Sequence, residues 1–134
     1  MNEWKRITVT LFSFFVLGLA PIGVAFAQVK VTAATPSSAY QGTTSLDVVV
    51  SGGGFDSSAK VQYFVSGTTN PGGITVNKVV FRNSSELVAT IDVADTALLA
   101  NFDIQVTLSS GRKGKGTTLF SVKAKPGNPP AELP

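Results

Sequence analysis

From residue 28 onward, apolar side chains recur at every second position in short runs, and Gly, Pro, Asn and Ser separate the runs. A period of two places alternate side chains on opposite faces of an extended strand, so each run has one apolar face. Leu87, Ala89 and Ile91 keep this period strictly. Leu46, Val48 and Val50 alternate with Asp47, Val49 and Ser51, and Ile104, Val106 and Leu108 alternate with Asp103, Gln105 and Thr107. Val61, Tyr63 and Val65 share a face of a further strand, and Phe120 and Val122 point inward from another. Residues 29–33 and 74–81 complete the set. The one helical expectation in this part of the chain is a short turn over residues 96–100, for which Asp95 stands as N-cap.

Seven short strands at regular spacing predict an all-β fold, an immunoglobulin-like antiparallel β-sandwich with one wet face on each sheet. The length of 134 residues suits one such domain. There is no cysteine and no histidine. The fold must therefore hold by its core without disulfides, which a domain of about 100 residues can do. The same absence excludes a Ser-His-Asp or Cys-His catalytic pair and any ordinary zinc, copper or haem site. The expectation is a non-enzyme without a cofactor.

Residues 1–27 read as an export signal. Lys5 and Arg6 form a basic start, residues 7–20 are apolar and uncharged, and Pro21 and Gly23 break the run. Ala25, Phe26 and Ala27 form a small-x-small cleavage site, so the mature chain is expected to begin at Gln28. The alternative is an uncleaved anchor, the only route to a membrane, but its apolar run is shorter than the roughly 20 residues of a span. Removing residues 1–27 leaves nine basic and seven acidic residues, a net charge of +2, too small a bias to imply nucleic acid. The sandwich is expected over residues 28–125, and residues 126–134, rich in proline, form a tail. The protein is thus expected in the periplasm or at the cell surface.

One ordered set of motifs goes further. Pro36 and Gly42 follow the first strand, Gly52-Gly53-Gly54-Phe55 the second, and Phe120-Ser121-Val122 ends the domain. With SSELVATIDV at residues 84–93 and the stretch 102–111, the set resembles IPT/TIG domains, early-set immunoglobulin-like modules of many bacterial exported and surface proteins. The match runs over residues 29–122. The resemblance implies a scaffold or interaction module with no shared catalytic residues. The motif also has a physical reading: Gly52 or Gly54 takes a positive φ where the chain leaves the sheet, and Phe55 folds back as a core plug.

The candidate contact residues fall into three groups. Arg112, Lys113 and Lys115 concentrate charge in a hairpin loop over residues 110–116. They form either a contact for an anionic surface or a solvated turn that protects an edge. The loop is no phosphate-binding loop, since Ser109 and Gly116 stand where that motif needs Gly and Ser or Thr. Tyr40 and Phe64 lie off the inward pattern, and either stack on a sugar or partner or pack beneath loops. Asp92, Asp95 and Asp103 suit capping and turns better than calcium, and Asp56 suits a turn. The leading expectation is an exported interaction or structural module that binds an envelope protein or glycan. The alternative is a carbohydrate-binding accessory domain using Tyr40 or Phe64.

Overall fold

The alternating runs become strands that meet apolar face to apolar face. The computed structural model describes residues 28–127. It contains β1 (Lys30–Thr35), β2 (Ser38–Tyr40), β3 (Leu46–Gly53), β4 (Lys60–Val65), β5 (Ile74–Asn83), β6 (Glu86–Val93), β7 (Asn101–Thr107) and β8 (Lys113–Lys123). One sheet has the order β1-β3-β6-β5 and the other β2-β8-β7-β4. This is an immunoglobulin-like sandwich. The chain passes from the first sheet to the second between β1 and β2, at the cis Thr35–Pro36 peptide.

The core lies where the two inner faces meet. Val48 and Val50 of β3 and Leu87, Ala89 and Ile91 of β6 face Phe102, Ile104 and Val106 of β7 and Phe120 of β8, all essentially without exposed surface. Each large side chain of this kind contributes on the order of 1.5–3 kcal/mol by leaving water. The Tyr63 and Phe120 rings meet edge to face, with centroids 5.3 Å apart, a favoured aromatic geometry. Phe55 is buried against this core, as the sequence predicts. Gly54 takes φ 78°, whereas Gly52 has no positive φ. A side chain at Gly52 is instead excluded by the Lys30 carbonyl oxygen, 1.9 Å from where its Cβ would stand.

Three local expectations change. An eighth strand, β2, pairs in parallel with β8, so the sandwich is antiparallel except at that edge. Three residues are too few to show a period. No helical turn forms over residues 96–100 among the described residues. Leu98 N donates to Gly72 O, and Ala97 O accepts from Gln41 Nε2 at 2.7 Å, so the backbone groups a helix would use bond to other segments. The hairpin loop expected over residues 110–116 is shorter, because β8 begins at Lys113. There Gly114 and Gly116 lie against the start of β1, with the carbonyl oxygens of Val29, just before it, and Val31 where their Cβ atoms would sit.

Candidate functional site

Pairing across β4, β7 and β8 builds a grid on the outer face of the second sheet. Residues directly opposite one another in a ladder share a face. Lys60 pairs with Thr107, and Thr107 with Lys113. In the next row Gln62 pairs with Gln105, and Gln105 with Lys115. In the third, Phe64 pairs with Asp103. The face therefore carries two lysines about 10 Å apart, two strand spacings, along one row. Gln105 Nε2 donates to Gln62 Oε1 at 3.3 Å in the row above. Phe64 is half-buried at the far side.

Phe64 thus joins Lys113 and Lys115, although the sequence offered the aromatic ring and the basic loop as separate candidates. Their roles differ. Lys115 Nζ lies 3.7 Å from Asp103 Oδ2, so its charge is engaged with a buried carboxylate. Lys113 is exposed on the face. Arg112 sits in the turn before β8, where its N–H donates to Ser110 Oγ and its charge helps lower the pKa of Asp56. Lys60, Gln62 and Gln105 escaped the sequence reading. The alternation in residues 59–65 and 103–107 shows that they leave the core, but not which strands stand side by side.

Tyr40 belongs to a different place. It pairs with Lys123 at the end of β8 opposite Lys113. It is 49% exposed, and Leu98 and Leu99 are similarly exposed in the β6–β7 connection at the same end.

The acidic candidates do not assemble. Among the described residues no group of three or more Asp or Glu side chains is placed to hold a metal ion. Asp92 accepts from Ser45 N at 2.8 Å, and this bond, with one from the Asn77 side chain, holds its carboxyl below the usual range. Asp56 makes the expected turn, accepting from the Ser58 hydroxyl and from Ser58 N, and these bonds lower its pKa. Asp95 lies close to Gly42 and caps no helix. Asp103 lies on β7 beneath Lys115.

Ala25 and Ala27 of the expected cleavage site, with the rest of residues 1–27, lie outside the described residues, as do residues 128–134. Gln28 is the first described residue and is exposed. Comparison of the sequence with protein-family models and with curated proteins finds no match.

Proposed function

We propose that this chain is an exported, non-catalytic interaction module of the IPT/TIG kind, released by cleavage after Ala27 and working in a bacterial cell envelope. It binds an envelope protein or glycan through the outer face of the β2-β8-β7-β4 sheet. The observation that carries this reading is the joining of Lys60, Lys113, the Gln62–Gln105 pair and Phe64 on one face. Ammonium groups beside amides and an aromatic ring suit an acidic surface: the charges attract it, and the amides and ring give it orientation. A titration with polygalacturonate as an acidic-glycan probe tests the reading. Amide resonances of Lys60, Gln105 and Lys113 shift on binding, and Lys113→Glu abolishes the shifts. Unchanged resonances on this face would count against it.

A second reading, a carbohydrate-binding accessory domain, is favoured at Phe64 over Tyr40 because only Phe64 has the paired amides beside it. Binding of neutral polysaccharides that is lost in Phe64→Ala and kept in Lys113→Glu would select it. The export part has its own test. The only tryptophan is Trp4, so the exported protein should begin at Gln28 by mass and emit only from Tyr40 and Tyr63. Tryptophan emission from the exported protein would contradict cleavage.

A further inference from the structure

The two sheets are left open along one side. Among the described residues β4 ends the second sheet and β5 ends the first, and neither pairs with the other. Between them lie two adjoining cavities of about 280 and 320 Å³ that share Val61 and Val76. Val61, Ile74, Val76 and Val79 line the groove together with the amides of Gln62 and Asn77, Phe64 and Pro71 stand at one end, and Lys60 and Lys78 at the other.

Among the described residues, the backbone of β4 turns hydrogen-bonding groups without a partner toward this groove. In an antiparallel strand, successive residues turn their N–H and C=O groups to opposite sides. Just past β4, Ser66 N donates to Asn101 O of β7, so the even-numbered residues of β4 turn toward β7. Val65 turns the other way: its N–H donates to Asn70 O at 2.7 Å and its carbonyl accepts from Thr68 N at 2.9 Å, both within the β4–β5 loop. Val61 and Tyr63 have the orientation of Val65 but lie beyond the reach of that loop. Their N–H and C=O groups therefore point into the groove. The opposing edge is irregular, since β5 breaks register between Val76 and Lys78 and again between Phe81 and Asn83. Bulges of this kind blunt an edge against pairing, which leaves β4 as the regular template.

We propose that β4 accepts an extended polypeptide segment of a partner protein in which apolar residues alternate with acidic ones. The main chain of that segment bonds to Val61 and Tyr63. Its apolar side chains rest on Ile74, Val76 and Val79, and its carboxylates meet Lys60 and Lys78. Strand addition takes affinity from the main chain and specificity from alternate side chains. Charge decides the chemistry of the occupant, because the groove lining has two lysines and no carboxylate. This proposal rests on the reading of the protein as an interaction module and extends it to an adjoining groove that shares Lys60, Gln62 and Phe64 with the outer face. The two surfaces are separable: Lys78 lines the groove and not the grid, and Lys113 the reverse.

The test uses ¹⁵N-labelled protein and a capped octapeptide of alternating valine and glutamate, with a valine–lysine octapeptide as control. The valine–glutamate peptide should shift the Val61 and Tyr63 amides and slow their exchange with solvent, and the control should do neither. Lys78→Glu should weaken binding about fivefold, the worth of roughly one exposed charge pair, and Lys123→Glu, at the β2 edge away from the groove, should leave it unchanged. Absence of shifts with both peptides, or equal shifts with both, would overturn the proposal. Shifts confined to Gln105 and Lys113 would overturn it too while leaving the outer-face reading intact. If dilution alone moves the Val61 and Tyr63 resonances, the occupant is a second copy of the chain and the proposal fails.

Discussion

The Asp103 carboxylate accepts a hydrogen bond from the Thr118 backbone N–H at 2.9 Å, and Thr118 holds the left-handed backbone angle φ 52°. The contact sits where Asp103 alone on β7 opposes residues 117–119 of β8. Ser66 Oγ at 2.7 Å and Gly67 N at 3.2 Å complete the shell from the β4–β5 loop. One outward-facing carboxylate thus ties a bulge and a loop to the sheet, and it is 1% exposed because they roof it.

Burial alone raises the pKa of Asp103, but the bonds from Ser66, Thr118 and Gly67 and the charge of Lys115 outweigh it and hold the carboxyl below its ordinary value. A group with a depressed folded pKa stabilises the fold above its unfolded pKa, about 3.9 for Asp, and loses that contribution as pH falls through the folded value. The fold should therefore lose stability below about pH 4. Asp103→Asn should cost about 2 kcal/mol at neutral pH, by leaving donors mismatched. The gap between variant and parent should narrow in acid. Denaturant unfolding at pH 7 and pH 3 measures this. A gap independent of pH would contradict it.

The glycines of β8 give a sharper structural test. A Cβ on Gly114 would stand 2.2 Å from Val29 O, and one on Gly116 2.4 Å from Val31 O. Both neighbours are backbone, so β1 and the residue that leads into it would have to move. Gly114→Ala and Gly116→Ala should each destabilise by about 3 kcal/mol, the upper range for overpacking. Gly53 has nothing within 4 Å of its Cβ position and no positive φ. Gly53→Ala should therefore change the unfolding midpoint little. Equal losses at positions 53 and 114 would refute the close approach of β1 and β8.

Tyr63 predicts the opposite sign. Its side chain is buried, and among the described residues its hydroxyl has no hydrogen-bond partner. Burial pushes the phenol pKa upward, so the group stays neutral through ordinary alkaline conditions. An unsatisfied buried hydroxyl costs about 1 kcal/mol or more. Tyr63→Phe keeps the ring against Phe120 and should leave thermal stability unchanged or raise it. A clear loss would mean that the hydroxyl has a partner.

Much of the sandwich was legible in the sequence because burial and alternation are the same pattern in a two-layer β fold. Leu87, Ala89 and Ile91 are fully buried, as the period of two implies. What escaped was non-local. Nothing near Ser38 announces a parallel pairing with residues 121–123, which lie far along the chain. Asp95 carries a helix-capping signal, but Gly72 and Gln41 take the backbone groups of residues 97 and 98. The Gly-Arg-Lys-Gly-Lys-Gly stretch at residues 111–116 reads as a loop by composition, yet Gly114 and Gly116 are strand residues under a crossing backbone. The candidate face was half legible: Phe64 and the pair Lys113 and Lys115 stood out as unconnected candidates. Only the order β8-β7-β4 makes them neighbours and adds Lys60, Gln62 and Gln105.

The outer face of that sheet carries the account, and cosedimentation with cell-envelope fragments of the source organism tests it most directly. Unaltered protein should pellet with the fragments at low salt and release as ionic strength rises, since exposed charges are screened within about 10 Å at 0.1 M. A Lys60→Glu, Lys113→Glu, Phe64→Ala variant that still unfolds cooperatively should remain in the supernatant. Equal partition of the two proteins, or no pelleting of either, would contradict the assignment of this face as the binding surface.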